Sequence, residues 1–192
     1  MLLFCGVFVP SLALVALPVS TMVTVPSGPF LRGDNEGEPD EKPVQRVNVA
    51  TFSIDRTEVT VEEYAACVAA KACKDRPAHA GKEAPKLPVT QVSWQDAAAY
   101  CAWQSKRLPS ETEWEKAARG TDGRKYPWGS DFSCQRGNVG NFSMDGRCAE
   151  EGAPGTLLPI ASFPSGASPY GALDMAGNVW EWVADVYAAD AY

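Results

Sequence analysis

Apolar and polar positions alternate in two N-terminal stretches. Met22-Val-Thr-Val-Pro-Ser-Gly-Pro-Phe-Leu-Arg-Gly33 reads as a short strand running into a turn. Val44 to Ile54 alternates imperfectly, with Val47, Val49 and Phe52 as the inward positions of a strand. The acidic, proline-bearing residues 34–43 between them form a loop. Three stretches then change to helical spacing, predicted over 61–70, 94–105 and 111–118. Each opens with a hydroxyl and a carboxylate three residues on: Thr60 with Glu63, Ser93 with Asp96, Ser110 with Glu113. Such pairs satisfy the first free N–H groups of a helix, and their charge complements its dipole. Pro109 disfavours helical geometry at Leu108 and ends the second stretch before Arg107. From Gly120 to Asp174 no periodicity survives. A run of some fifty residues of this kind inside a domain is normally functional or held by a metal.

Composition narrows the class. The 192 residues suit one domain with a sizeable core. Six tryptophans, 16 glycines and 15 prolines point to a loop-rich fold pinned by large aromatic rings. A net charge of −7 argues against nucleic acid as a partner, since binding phosphates needs basic patches. Residues 1–20 carry no charged side chain. Leu2 to Val19 reads as the apolar part of an export signal, although no positive segment precedes it. Pro10 and Pro18 make it a poor membrane span, so no stable span is expected. The competing reading is a start at Met22. We therefore divide the chain into a leader-like segment, 1–21, and a domain, 22–192, in an exported (periplasmic or extracellular) protein.

The cysteines agree with export. Cys101 shares a helical stripe with Trp94, Ala97 and Ala98, so it is expected to be a buried, inert thiol. Trp94, Trp103 and Trp114 are expected to be core anchors of their helices. Cys5 falls in the leader. Cys67 with Cys73, and Cys134 with Cys148, make two local pairs that each close a short loop between turn residues, as disulfides do. Metal ligation is the rival reading, although neither pair has CxxC spacing and the only histidine, His79, is distant in sequence.

One stretch near the C-terminus stands apart. Gly171-Ala-Leu-Asp-Met-Ala-Gly-Asn-Val-Trp-Glu-Trp182 is too polar for an ordinary strand and too rich in glycine for a helix. Backbone that bends sharply while presenting oxygens commonly holds a ligand or a metal. No phosphate-binding glycine loop, dinucleotide fingerprint or serine triad is visible.

These features combine with a set of blocks in a fixed order. They are Phe52-Ser-Ile-Asp-Arg-Thr-Glu-Val-Thr60, Leu87-Pro-Val-Thr-Gln-Val-Ser-Trp94, Arg107-Leu-Pro-Ser-Glu-Thr-Glu-Trp-Glu-Lys-Ala-Ala-Arg-Gly120, Tyr126-Pro-Trp-Gly129 and Gly177-Asn-Val-Trp-Glu-Trp182. Together they closely resemble the formylglycine-generating enzyme, or sulfatase-modifying factor, family. The resemblance implies an α+β, C-type-lectin-like fold with little regular secondary structure and long loops. It also implies an activity: copper- and oxygen-dependent oxidation of a cysteine in a sulfatase Cys-x-Pro-x-Arg motif to formylglycine. Copper(I) favours soft thiolates, and the family supplies two cysteines beyond the Gly-Asn-x-Trp-Glu-Trp block. This sequence reaches Tyr192 without them. The expectation is a domain without its catalytic segment, which binds no copper itself.

The same resemblance places structural calcium at the side chains of Asp174 and Glu181 with the carbonyls of Gly177 and Val179. A second ion falls at Asn138, the carbonyl of Val139 and an acid, for which Glu151 is the best candidate. Calcium takes roughly six to eight oxygens in flexible geometry, and carboxylates set in bent backbone suit it. The bland alternative has Asp174 capping a turn and Glu181 pairing with an arginine. Trp180 corresponds to an aromatic beside the family's substrate groove, with core packing as its alternative. Two functions are carried forward. One is a formylglycine-generating-type domain acting on a sulfatase or other polypeptide. The other is a non-catalytic, calcium-stabilised lectin-like binding module. An iron-dependent sulfoxide synthase is set aside, because it needs a histidine cluster.

Overall fold

In the computed structural model, which describes residues 21–76, 84–139 and 157–188, four short strands precede three short helices. Strand β1 (Met22–Val25) pairs antiparallel with β4 (Phe52–Asp55), and β2 (Gly28–Arg32) pairs antiparallel with β3 (Gln45–Val49). The single strand expected over Val44 to Ile54 is therefore two strands in two sheets. The cause is a bend shared by both arms. Pro26 cannot donate to a ladder, and opposite it the chain breaks at Ala50-Thr51. Ser27 N–H donates to Thr51 Oγ1 at 3.0 Å across the break.

The bend frees main-chain carbonyls, and a buried lysine collects them. Lys116 Nζ donates to Pro26 O at 2.8 Å and to Gly28 O at 2.9 Å, with the residue 1% exposed. Burial pushes its amine below the ordinary value. The strand ribbon is thereby fixed to the third helix.

Helices α1 (Val61–Ala69), α2 (Trp94–Trp103) and α3 (Glu111–Arg119) begin where the hydroxyl–carboxylate pairs predict, each with a reciprocal capping box. Their ends follow a second rule. Ser105 takes φ 58°, its N–H reaches Ala102 O, and Lys106 N–H reaches Cys101 O at 2.8 Å. This left-handed cap closes α2 two residues before the expected end, without help from Pro109. Lys71, at φ 60°, closes α1 the same way.

Two apolar clusters form the core. Val25, Ala117, Ala118, Ala172 and Met175 join β1, α3 and the loop after residue 171, with Phe52, Ile54 and Trp114 packed alongside. The alanines of α3 let the ribbon and that loop approach closely. Tyr64, Cys67, Cys73 and Tyr100 join α1 to α2, with Trp103 beside them. The expected Cys67–Cys73 disulfide is present and buried. Cys134 is disulfide-bonded, whereas Cys5, His79, Cys148 and Glu151 lie outside the described residues.

Two expectations for α2 need correction. Tyr100, not the Trp94 stripe, is its buried position, and Cys101 is a half-buried free thiol whose pKa burial pushes up. Trp94 is 39% exposed rather than a core anchor. It sits in the first turn, where the indole lies over the C-terminal segment and donates to Val183 O at 2.8 Å. No helix among the described residues is long and apolar enough to cross a membrane. After α3 the described chain holds only short 3-10 turns, at Cys134–Arg136 and Pro164–Gly166, so the architecture is α+β with long loops.

Candidate functional site

The loop from Ser168 to Trp182 builds its own scaffold from side chains. Ser168 Oγ accepts from the N–H groups of Tyr170 and Ala172, and Leu173 N–H donates to Arg56 O at 2.7 Å. Asp174 (φ 58°), Gly177 (φ 96°) and Asn178 (φ 63°) all occupy the left-handed region. A conformation that side chains seldom adopt, held at Asp174 and Asn178 with a glycine between them, bends this loop sharply.

Three carboxylates lie in or beside this loop. Asp174 Oδ2 accepts from Ala161 N–H at 2.7 Å, and Glu181 Oε2 accepts from the Trp114 indole at 2.9 Å. The third is Glu58, in the turn between β4 and α1. It is 9% exposed, and its Oε2 accepts from Asn178 Nδ2 at 3.0 Å. Its Oε1 is buried without a hydrogen-bond partner. An orphaned buried oxygen of this kind calls for a cause, because leaving it unmet costs on the order of 1–3 kcal/mol.

Electrostatics link the three. Burial, then the charges of Asp174 and Glu181, push Glu58 up to about 8, against the pull of Asn178 and of the Val179 main chain. Glu181 is an exposed residue. Local desolvation of its carboxylate, then the Asp174 charge, move its pKa upward, while the Trp114 hydrogen bond opposes them. Asp174 rises through burial, opposed by the Ala161 N–H. None of the three is paired with lysine or arginine among the described residues. In place of the arginine that the bland alternative gave Glu181, an indole is its partner.

Calcium takes oxygen ligands, and the oxygens this loop offers are the carboxylates of Asp174 and Glu181 and its main-chain carbonyls. Among the described residues no three side chains of His, Cys, Asp or Glu hold an ion by themselves. An ion would lean on carbonyls and waters as much as on carboxylates, as hard-cation sites do. Copper does not fit the described residues. Cys67 and Cys73 are bonded to each other, Cys134 is bonded, and Cys101 stands alone.

Trp180 is 96% exposed, so core packing is not its role. It borders a groove of about 500 Å³ lined in part by Glu58, Tyr100, Cys101, Met175 and Trp182. Trp182 Nε1 donates to Val92 O at 3.0 Å and, with the Trp94 bond, clasps the C-terminal segment to the start of α2.

The model of the sulfatase-modifying factor enzyme 1-like domain matches residues 12–192. The chain belongs to this family. The match starts inside the segment 1–21 that was expected to be a leader. A curated relative, "Inactive C-alpha-formylglycine-generating enzyme 2" of Mus musculus, is 36% identical and covers 86% of this chain and 69% of its own. The "Formylglycine-generating enzyme" of Thermomonospora curvata is 33% identical, covering 88% and 72%. Among solved structures, PvdO from Pseudomonas aeruginosa superposes with a TM-score of 0.69 at 31% identity, over 88% of this chain and 71% of that one. The relatives thus include one named a formylglycine-generating enzyme and one named inactive.

Within the family frame, Asp174, Gly177, Val179 and Glu181 occupy one bent loop, and Asn138 and Val139 lie against it. Glu151 is outside the described residues. Sequence reasoning passed over Glu58 and Asn178, although both stand inside the quoted blocks. The available signal was an isolated acid just before a helix cap, at Glu58.

Proposed function

We propose that this chain is the calcium-stabilised, polypeptide-recognising domain of a formylglycine-generating-enzyme-like protein. Asp174 and Glu181, with the carbonyls of Gly177 and Val179, hold one ion. Asn138 and the Val139 carbonyl, with Glu151, hold another. Glu58 adds negative charge to the first. The observation that carries this reading is the buried Glu58 Oε1 without a hydrogen-bond partner, on a carboxylate held by Asn178 and facing the charges of Asp174 and Glu181, with no lysine or arginine paired to any of the three among the described residues. A divalent ion there removes the repulsion and occupies the orphaned oxygen. Trp180 and the adjoining groove present an aromatic face to an extended polypeptide, such as a sulfatase segment. Export agrees with the Cys67–Cys73 disulfide.

The described residues carry no adjacent pair of free thiols, so this reading assigns them no oxidation step. Two experiments test it. Chelation is expected to lower the melting temperature, and Asp174→Ala or Glu181→Ala is expected to abolish that difference. An unchanged melting curve under chelator overturns the ion assignment. A Cys-x-Pro-x-Arg peptide incubated with the chain, copper and oxygen should yield no formylglycine by mass spectrometry. Product would establish the oxidase reading, which the relative named as a formylglycine-generating enzyme favours.

A further inference from the structure

At the bend of the strand ribbon the described residues enclose a second cavity, of about 500 Å³, which shares no lining residue with the groove beside Trp180. Its charged lining is Lys116 and Arg46, and no carboxylate borders it. That balance is unusual in a chain with 24 acidic against 17 basic side chains.

Neither cation is neutralised by an acid among the described residues. Lys116 Nζ gives two of its three N–H groups to Pro26 O and Gly28 O and finds no third acceptor there. The residue is 1% exposed, so its charge has left water without a counter-ion, which costs free energy. Arg46 stands opposite Leu31 on β3, is exposed and bonds to no described group. The hydroxyls of Ser27, Thr121 and Tyr170 face the same cavity and have no bond to another described residue. Asp122, the acid whose charge reaches Tyr170, is itself paired with Arg124 at 2.7 Å. A Cβ at Gly28 would meet nothing within 4 Å, so the space at the bend is open.

Two cations and three hydroxyl donors suit an oxyanion close to doubly charged, and a guanidinium can take phosphate oxygens in pairs. A phosphate monoester carries about −1.5 to −2 near neutral pH, whereas a sulfate monoester carries a single charge. The cavity is larger than a bare tetrahedral anion, and its remaining wall includes Pro29, the Tyr170 ring and Leu31, a side chain left 39% exposed. We propose that this cavity binds a phosphate monoester, with the phosphate between Lys116 and Arg46 and the organic body against Pro29, Leu31 and Tyr170.

Calorimetric titration of the full chain with phenyl phosphate tests this, with phenyl sulfate and inorganic phosphate as comparisons. Phenyl phosphate should bind, and each comparison should bind at least roughly fivefold more weakly, one for want of charge and the other for want of a ring. Arg46→Ala should weaken phenyl phosphate about tenfold. The melting temperature of its free form should not move, because Arg46 has no bond to lose. Arg46→Lys should recover part of the affinity. Lys86→Ala, which removes an exposed cation paired with Glu62 outside the cavity, should leave binding unchanged. Lys116→Met should abolish binding, and if that variant does not fold the Arg46 variants decide. No binding, unchanged binding in Arg46→Ala, or an equal loss in Lys86→Ala overturns the site. Phenyl sulfate or inorganic phosphate binding as tightly as phenyl phosphate overturns the assignment to a phosphate monoester.

Discussion

Residues 21–119 and residues 120–188 differ in how they satisfy their backbone. In the first region strands pair with strands, helices close their own ladders, and side chains intervene chiefly at the ends, as Thr60, Ser93 and Ser110 do. In the second, short turns are the only regular elements described, and side chains replace the ladder: Ser168, Asp174 and Asn178 each bind main-chain N–H groups. A ladder tolerates many sequences. A backbone held by particular carboxylates and amides depends on each of them and, in our reading, on an ion. The second region should therefore be the more easily broken by single changes and by chelation.

The sharpest break is Gly177→Ala. It forces an L side chain to φ 96° and into Asn138 O, so a loss of about 3 kcal/mol or more is expected by denaturant titration. Gly28→Ala is the control in the first region. It has φ 137° but nothing within 4 Å of the added carbon, and about 1 kcal/mol of strain is expected. Equal losses at the two positions would erase the distinction.

Acidity gives the next effect. Glu58 is raised from an ordinary 4.5 to about 8 in the folded chain. The folded state keeps a proton that the unfolded chain has released, so calcium-free stability should be full below about pH 4.5 and fall as pH rises towards 8. Each pH step between the two values is worth about 1.4 kcal/mol, so a drop of a few kcal/mol is expected. Glu58→Gln should flatten the profile, and so should saturating calcium. A calcium-free profile that rises across this window contradicts the burial of Glu58.

Two smaller effects belong to the first region. Removing the Cys67–Cys73 bridge, which spans a sequence separation of 6, should cost about 2 kcal/mol by the chain-entropy estimate. Ser110→Ala removes the acceptor for Glu113 N–H and should cost about 1 kcal/mol, with no change in calcium dependence. Altered calcium binding in Ser110→Ala would show that the regions are not separable.

This contrast also explains what the sequence disclosed. Helix starts were legible, because a capping box is written within four residues. The ribbon's bend was not, since it depends on Lys116, far along the chain, collecting the carbonyls of Pro26 and Gly28. Trp94 was misassigned because its helical position is compatible with burial, while its actual partner, Val183, comes from a segment without periodicity. In the site, Glu181 lies inside a quoted block, and Asp174 stands three residues before that block begins. Glu58 and Asn178 were overlooked, because their importance arises from contacts between loops that no local pattern encodes.

Amide hydrogen exchange resolved by mass spectrometry, with and without calcium, compares the two regions in a single sample. Under conditions where local opening governs exchange, calcium should slow the amides of residues 157–182 by roughly tenfold or more and leave those of α1 and α3 nearly unchanged. Equal exchange in calcium and in chelator throughout 157–182 would contradict the claim that an ion holds the irregular half together.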